Sequence, residues 1–459
     1  MPVEINSGDT AWVLAAAALV MFMTPGLGFF YAGFTRSKNV LGTIMQSFIV
    51  VALVGVQWVV IGYSLAFGPS QGGIIGDLSF FGLNDVGLAP STTEGALYAQ
   101  TVPHEAFMIF QAMFAIITPA LITGAFAERA KFSTFLVFML AWSFLVYDPV
   151  AHWVFSAGGW LSAFDYFEEG SGVNALDFAG GTAIHINSGA AALAAAFLFR
   201  KRLGFGKVPM EPHNVTYVVL GAAILWFGWF GFNAGSAGAA NGQAANAFVV
   251  TNTAAAAAAL SWMFTSWVLS GKPSVIGAAA GVVAGLVAIT PASGFVEPWA
   301  AIIIGAVAGV VCSLACRLRA RAGLDDSLDV VGVHGVGGTW GALATGIFAT
   351  AAIGPVAGGG IDGLIKGEAS QVVDQLIAIG VVWVYSFTVT AIILKVLDLT
   401  LGLNVKDEDE EIGLDVSQHG ERGYVFEEGG AVPVAQSAQT APPAPPAVRP
   451  QPKSAAGEA

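Results

Sequence analysis

Residues 177–185 read DFAGGTAIH and residues 326–334 read DSLDVVGVH. Each stretch places an aspartate eight residues before a histidine, and each continues into a glycine-rich segment. The first stretch begins the fifth apolar segment of the chain and the second begins the tenth. This arrangement predicts two repeats of five segments followed by one extra segment. Because five is odd, repeats that cross a membrane must be inverted relative to each other.

The composition indicates a membrane protein. Of the 459 residues, 55% are hydrophobic and 11% are charged, whereas about a quarter of the residues in a typical soluble domain are charged. Apolar stretches of 18 or more residues recur between Thr10 and Gly402, and each is long enough to cross the roughly 30 Å hydrocarbon layer of a bilayer. We therefore predict an all-α membrane protein that resides in a lipid bilayer and binds no nucleic acid.

The apolar stretches predict eleven transmembrane helices, bounded by Gly, Pro and charged clusters. Their predicted ranges are 10–33, 43–67, 104–127, 133–151, 180–199, 216–235, 246–270, 274–290, 299–318, 333–351 and 370–402. Residues 1–402 form the predicted transmembrane domain and residues 403–430 a C-terminal region. Residues 431–459 are rich in Pro and Ala, so we expect a disordered tail there.

The distribution of Lys and Arg predicts the orientation, because cytoplasmic loops retain basic residues. One alternate set of connections contains twelve, namely Arg36, Lys38, Arg129, Lys131, Arg200, Lys201, Arg202, Lys207, Lys272, Arg317, Arg319 and Arg321. The opposite set contains only Lys366, although it includes the long segments 68–103 and 152–179. We therefore place the N-terminus outside and the C-terminus inside an inner or plasma membrane.

Small residues recur at helical spacing in the predicted spans. Gly277, Gly281 and Gly285 are four residues apart, as are Gly305 and Gly309. In lipid, small residues let helix backbones approach each other closely. We interpret these glycines as helix-packing positions. Two cysteines that lie one turn apart at 312 and 316 are interpreted in the same way.

The two histidines, His185 and His334, are predicted to lie near the middle of the membrane. If each preceding aspartate marks a boundary, eight helical residues place each histidine about 12 Å from one face. The two faces are opposite, and the layer is about 30 Å thick. The predicted depths then differ by only about 6 Å, within the error of helix ends read from sequence, so the spacing is compatible with contact between the imidazoles.

Ionisable side chains within a membrane are costly and usually mark a functional site. The alternative is that the two neutral imidazoles only join two helices by a hydrogen bond. A zinc site is disfavoured because it needs three or four ligands, and no further ligand lies at a compatible depth. Asp177 and Asp326 also suit helix N-termini, and capping is the preferred interpretation for Asp326.

Several segments together resemble the ammonium transporter family, in its bacterial or archaeal type, which includes the Rhesus relatives. The matching segments are FFYAGFTRSKNV at 29–40, GAFAERAKF at 124–132, DFAGGTAIHINSG at 177–189, GWFGFNAGSAG at 228–238, DVVGVHGVGGTWG at 329–341 and GLDVSQHGERGY at 413–424. The resemblance runs from about Thr10 to Tyr424. It implies a homotrimer of eleven-helix protomers, each with its own hydrophobic pore.

The resemblance also implies site residues. His185 and His334 correspond to the twin pore histidines of the family, and Phe114 and Phe232 to its paired-phenylalanine constriction. Further site residues implied by the resemblance are Phe110, which lies one turn before Phe114 in FQAMFAIIT at 110–118, and Trp229. The resemblance also implies Ser236, whose hydroxyl accepts a hydrogen bond from the cation, and Asp177, a structural carboxylate near it. HWVFS at 152–156 places Phe155 where bacterial members commonly have Trp, so we expect a weaker or differently shaped external site, because cation–π attraction is strongest for Trp.

These features predict transport of ammonium or ammonia, with methylammonium as an analogue and without a cofactor. Ammonium is expected to lose its proton at an external aromatic site, and ammonia to pass the histidines. By resemblance, a cytoplasmic PII-type signal protein is an expected partner, and Asp415, His419 and Glu421 are structural contacts of the C-terminal region. The alternatives are a channel for carbon dioxide or water and an ammonium sensor. An enzyme is disfavoured because no nucleophile with a base appears at a shared depth.

Overall fold

The computed structural model describes residues 4–163, 173–354 and 360–425. The predicted tail at 431–459 lies outside these ranges. Residues 1–423 form one compact unit that carries every element described below. The C-terminal region up to Gly423 is therefore part of the same unit as the predicted transmembrane domain.

The described residues are mainly helical. The α-helices are α1 Ser7–Phe34, α2 Val40–Gln57, α3 Tyr63–Phe67, α4 His104–Phe126, α5 Phe132–Trp142, α6 Asp148–Phe155, α7 Asn187–Leu198, α8 Val215–Gly235, α9 Gly242–Ser270, α10 Val275–Ile289, α11 Pro298–Arg321, α12 Val336–Phe348, α13 Ser370–Thr400, α14 Asp407–Ile412 and α15 Leu414–His419. Short 3₁₀ turns occupy Ser37–Asn39, Phe81–Leu83 and Leu364–Lys366. A small antiparallel ribbon joins β1 Ser70–Gln71 to β2 Ile75–Gly76, with Ser70 opposite Gly76.

Four π-helical segments continue or precede α-helices, at Trp58–Gly62, Ser143–Tyr147, Gly181–Ile186 and Val331–Gly335. The last two begin the segments that contain the two histidines. Within the described ranges, nine helical segments are long and apolar enough to cross a membrane. The other two predicted spans coincide with the shorter apolar helix α10 and with Val331–Gly335 continued by α12. The protein is therefore a helical, multi-pass membrane protein.

The two predicted repeats contact each other at their histidine segments, where the backbones touch with no side chain between them. A Cβ atom on Gly189 of α7 would overlap the backbone of Gly335, at the end of the fourth π-helical segment. A Cβ atom on Gly338 of α12 would lie 3.0 Å from Cβ of His185. Gly189 and Gly338 each follow a histidine by four residues. Each repeat therefore places a glycine against the histidine segment of the other repeat.

The predicted packing role of the regularly spaced glycines is confirmed. A Cβ atom on Gly281 would lie 2.7 Å from the carbonyl oxygen of Ala258, and one on Gly285 would lie 2.5 Å from that of Ala254. Both carbonyls belong to α9, so α10 lies directly against its backbone. This contact replaces the hydrophobic effect, which does not drive helix association in lipid.

A buried ion-pair network joins the interhelical connections at the end that carries the C-terminal segment. Glu128, in the connection between α4 and α5, pairs with Arg36 and with Arg202, at 2.9 Å each. Arg202 also pairs with Asp325 at 2.8 Å. Glu410 of α14 pairs with Arg200 at 2.8 Å. Connections from both repeats are thus tied to the C-terminal segment.

Two of the three predicted C-terminal contacts involve side chains. Asp415 Oδ1 accepts a hydrogen bond from the backbone nitrogen of Gly42 at 2.8 Å. The ring of His419 packs edge-on against Phe132, with 4.9 Å between the ring centroids. Glu421 donates its backbone N–H to the carbonyl of Asp415. The segment therefore packs against the first turns of α2 and α5.

We expect Gly189→Ala to destabilise the protein. The added methyl group would overlap Gly335, and overpacking of this kind costs about 1 to 3 kcal/mol or more. Gly380→Ala is the matched control, because no atom lies within 4 Å of a Cβ atom at that helical position. Thermal unfolding in detergent should show a lower midpoint for Gly189→Ala and no loss for Gly380→Ala. Equal midpoints for the two variants would contradict the backbone contact.

We expect Glu128 to make stability depend on acid pH. Burial alone raises the pKa of Glu128, but Arg202 and Arg36 outweigh burial and lower it to about 2. A depressed folded-state pKa contributes stability above the unfolded value of about 4.5, and this contribution is lost as the pH falls towards 2. Glu128→Gln should therefore be less stable at pH 7, by about 3 kcal/mol for a broken buried pair.

The measurement is the thermal midpoint in detergent between pH 7 and pH 3. The wild type should lose stability more steeply than Glu128→Gln as the pH falls below about 4.5. Parallel pH profiles would show that the Glu128 carboxylate does not support the network.

Candidate functional site

The structure brings the two histidines into direct contact. His334 Nδ1 and His185 Nδ1 lie 3.2 Å apart, and the ring centroids are 5.3 Å apart with planes inclined by 28°. Both side chains are buried. The contact that the spacing allowed is present, but only part of each eight-residue stretch is helical. Residues 177–180 precede the first helical turn, so the depth estimate from continuous helix was too simple.

The Nδ1 to Nδ1 contact restricts where the protons lie. A neutral imidazole donates from one ring nitrogen and accepts at the other. When one Nδ1 donates to the other, the donating ring has a bare Nε2 and the accepting ring carries its hydrogen on Nε2. The pair therefore offers one acceptor and one donor at its two outer nitrogens. Moving a proton along the pair exchanges these roles.

His185 faces a small apolar cavity of about 10 Å³. Among the described residues, none makes a hydrogen bond with His185 Nε2. The cavity volume is close to the minimum for one water-sized molecule. Its lining comprises Met23, Leu27, Ile117, Leu121, Ile184, His185, Leu225, Trp229, Phe232, Val283 and His334. The lining therefore suits a small neutral molecule better than an ion, because an unpaired charge is costly in such surroundings.

Trp229 and Phe232, both on α8, hold the His185 ring. The ring of His185 stacks on Trp229 at a centroid distance of 5.4 Å and lies nearly parallel to Phe232 at 6.1 Å. Trp229 Nε1 donates to Thr290 Oγ1 at 2.9 Å, which fixes the indole. These contacts fix the orientation of the imidazole plane within the cavity.

The two phenylalanines predicted as a constriction face each other. Phe114 and Phe232 have centroids 4.4 Å apart with planes inclined by 37°. Phe232 lines the small histidine cavity. Phe114 lines a second cavity farther from the histidines, which we call the outer cavity. The ring pair therefore separates two cavities. Phe110 packs edge-on against Phe114 at 4.9 Å but lines neither cavity.

The outer cavity has a volume of about 150 Å³. Its lining comprises Tyr98, Ala99, Phe107, Gln111, Phe114, Phe155, Phe178, Ala179, Ser236, Ala237 and Gly238. Ser236 donates its hydroxyl hydrogen to the carbonyl of Phe232 at 2.8 Å. Its oxygen lone pairs are therefore oriented to accept a hydrogen bond from a donor in the cavity. Aromatic faces and one hydroxyl acceptor together suit a small cation that carries N–H groups.

Asp177 lines neither cavity, and its carboxylate instead contacts the backbone that precedes His185. Oδ1 accepts hydrogen bonds from the backbone nitrogens of Gly180 and Gly181, and Oδ2 from those of Thr182 and Ala183. The carboxylate thus caps the segment that carries His185. Asp326 plays the equivalent role in the second repeat, because Oδ2 accepts a hydrogen bond from the nitrogen of Val331 at 2.8 Å. The capping interpretation of Asp326 is confirmed.

The larger side chains of the outer cavity that were absent from the sequence prediction are Tyr98, Phe107, Gln111 and Phe178. Phe107, Gln111 and Phe114 follow the spacing of one helical face, so this pattern could have identified two of them. Phe178 directly follows Asp177. Tyr98 lies in the long connection between α3 and α4, where no periodicity indicates its position.

Comparisons with known proteins identify the family to which the chain is similar. The sequence model of the Ammonium Transporter Family matches residues 11–424. An ammonium transporter of Bacillus subtilis is 48% identical over 92% of this chain and 99% of its own length. The crystal structure of Candida albicans Mep2 is 38% identical with a TM-score of 0.81, over 88% of both chains. A structure described as a sensor Amt protein is 29% identical with a TM-score of 0.79, over 90% of this chain and 98% of its own.

We expect Phe232→Ala to join the two cavities, because Phe232 and Phe114 separate them. Stopped-flow osmotic shrinkage of proteoliposomes should then be faster for this variant than for the wild type. Phe230→Ala is the control, because Phe230 packs instead against Phe248, at 3.9 Å between centroids. Equal water permeability of all three proteins would show that the phenylalanine pair is not the barrier.

Proposed function

The chain belongs to the Ammonium Transporter Family, and on that premise we propose that it transports ammonium through a pore that passes Phe114, Phe232, His185 and His334. The observation that carries this proposal is the direct Nδ1 contact between the two histidines beside an apolar cavity. Ammonium binds in the outer cavity, ammonia crosses the phenylalanine pair and passes the histidines, and the imidazoles relay the proton.

Because desolvation of the ion is costly, ammonium must separate into a proton and neutral ammonia before the ammonia enters the inner cavity. Moving a unit charge from water into an apolar cavity is very unfavourable unless other interactions replace its hydration. A cation–π contact contributes about 0.5 to 1 kcal/mol when exposed and about 2 kcal/mol or more when desolvated. Several aromatic faces and the Ser236 hydroxyl therefore suffice to bind the ion in the outer cavity. They do not suffice to carry it through the inner cavity, where we place neutral ammonia.

The histidine pair provides a route for the proton. Each transfer moves a proton onto the bare nitrogen of one ring, across the Nδ1 contact, and off the outer nitrogen of the other ring. In this scheme the positive charge enters the apolar cavity only as the proton that passes onto the imidazole pair, and not as an ammonium ion. The pair must then reset its tautomers before the next cycle.

The proposed architecture has eleven transmembrane helices, with the N-terminus outside and the C-terminus inside an inner or plasma membrane. The nine long apolar segments of the described residues, together with α10 and with Val331–Gly335 continued by α12, support this count. The Lys and Arg distribution supports the orientation. A homotrimer for nitrogen uptake and a cytoplasmic PII-type partner follow from the family alone. The C-terminal segment, tied by Glu410 to the interhelical connections, provides a surface for such a partner.

A sensor is the second candidate function, and the similarity to the sensor Amt protein favours it. The described part of this chain ends shortly after α15, and residues 426–459 lie outside it. Signalling that persists in a variant without ammonium-dependent current would favour the sensor. Flux of carbon dioxide or water without methylammonium uptake would favour a channel for neutral solutes instead.

We expect the joint variant His185→Ala with His334→Ala to lose ammonium-dependent current in proteoliposomes, by at least an order of magnitude, because the proton route is removed. His213→Ala is the control, because His213 lies in the connection before α8, where its Nδ1 contacts the carbonyl of Thr35. Size-exclusion chromatography should show that all three proteins are folded. Unchanged current in the double variant would exclude the relay.

A further inference from the structure

The outer cavity has two aromatic side chains, Phe155 and Tyr98, that differ from the sequence expectation. Phe155 stands where a tryptophan was expected, and it is followed by Ser156. Phe155 is half-buried and lines the cavity, but its ring has a smaller π surface than an indole. Tyr98, from the long connection between α3 and α4, lines the same cavity.

Two hydrogen bonds fix the Tyr98 ring. Its hydroxyl donates to the carbonyl oxygen of Phe67 at 3.1 Å and lies 3.0 Å from Ser156 Oγ. Ser156 is fully buried, and Tyr98 is 6% exposed. The side chain that follows the unusual Phe155 therefore contacts the hydroxyl of the additional ring. A glycine at position 156 would leave the Tyr98 hydroxyl without this partner.

Tyr98 forms a parallel stack with Phe107. Their centroids are 4.8 Å apart and their planes are inclined by 2°. Phe67 stands at right angles to both rings, with nearly equal centroid distances of 5.2 and 5.3 Å. These equal distances place Phe67 beside the stack rather than over one of its outer faces. The stack therefore keeps aromatic surface available to the cavity.

The backbone at Ala99, directly after Tyr98, is strained, and this strain supports a functional role for Tyr98. Ala99 has a φ angle of +39°, which non-glycine residues rarely adopt. Its methyl group lies opposite Gly238, at 3.5 Å from the position of a Cβ atom there. Strain of this kind persists only where the surroundings enforce it. It turns the chain at the cavity wall directly after Tyr98.

We propose that Tyr98, stacked on Phe107, is a specificity-determining residue that supplies the π surface of the external cation site, and that Ser156 is its positioning residue. This inference rests on the proposed function. The ligand class is a small monovalent cation with N–H donors, such as ammonium or methylammonium. Burial raises the pKa of the Tyr98 phenol well above its usual range, so the ring acts through its π electrons and not as a phenolate.

The test replaces Tyr98 with phenylalanine and with its mono-, di- and trifluorinated analogues, which keep the ring shape but progressively weaken the negative π face. The readout is the ammonium concentration for half-maximal current in proteoliposomes. We expect this concentration to rise stepwise by about 2-fold to 30-fold over the series, the range that corresponds to a cation–π contact. Maximal current at saturating ammonium should stay within about 2-fold, because the effect is on cation binding alone.

The same analogues at Phe81 serve as the control, because Phe81 lies in the same connection but is exposed and lines no cavity described above. A half-maximal concentration that is constant or falls along the Tyr98 series overturns the proposal. Absence of ammonium-dependent current in the wild type would instead overturn the proposed function, so the two failures are distinguishable.

Ser156 is tested by a double-mutant cycle. Ser156→Ala should raise the half-maximal concentration in the wild type but have no further effect in Tyr98→Phe, because the two residues interact only through the hydroxyl. An equal effect of Ser156→Ala in both backgrounds would show a general packing role and overturn its assignment as a positioning residue.

Discussion

The arrangement of the proposed pore depends on the contact between two backbones at Gly189 and Gly335. A side chain of any size at Gly189 would separate the two histidine segments, and the 3.2 Å contact between the imidazoles would be lost. In lipid no hydrophobic effect drives helices together, so close packing of small residues must do so. The glycines thus set the distance on which the chemistry of the pore depends.

A second constraint follows from the low polarity of the interior. The cavity beside His185 holds about one small molecule and offers mainly carbon atoms apart from the imidazoles. The wider cavity beyond Phe114 and Phe232 has aromatic walls and the Ser236 hydroxyl. In the proposed mechanism, a cation is stabilised on one side of the phenylalanine pair and excluded on the other. This difference in polarity across a single pair of rings is what separates a proton from ammonia in our account.

The repeat and the two histidine segments could be predicted from the sequence, because matched residues occur at the same spacing in both halves. Asp177 and Asp326 precede the histidines at the same spacing, and each caps its segment as the chemistry of helix N-termini requires. The π-helical turns at both histidines could not be predicted, because local spacing does not distinguish them from α-helix. Tyr98 and Glu128 could not be assigned either, because their partners lie far away in sequence and only tertiary packing brings them together.

In the proposed mechanism, the N–H bond of ammonium is broken in the pore and the proton moves between the imidazoles. The most direct measurement is the ammonium-dependent current of the wild type in proteoliposomes, in H₂O and in D₂O at matched acidity. Proton transfer between His185 and His334 predicts a current that falls in D₂O by more than the higher viscosity explains. A current that changes only with viscosity would mean that the ion crosses intact, and it would contradict the account.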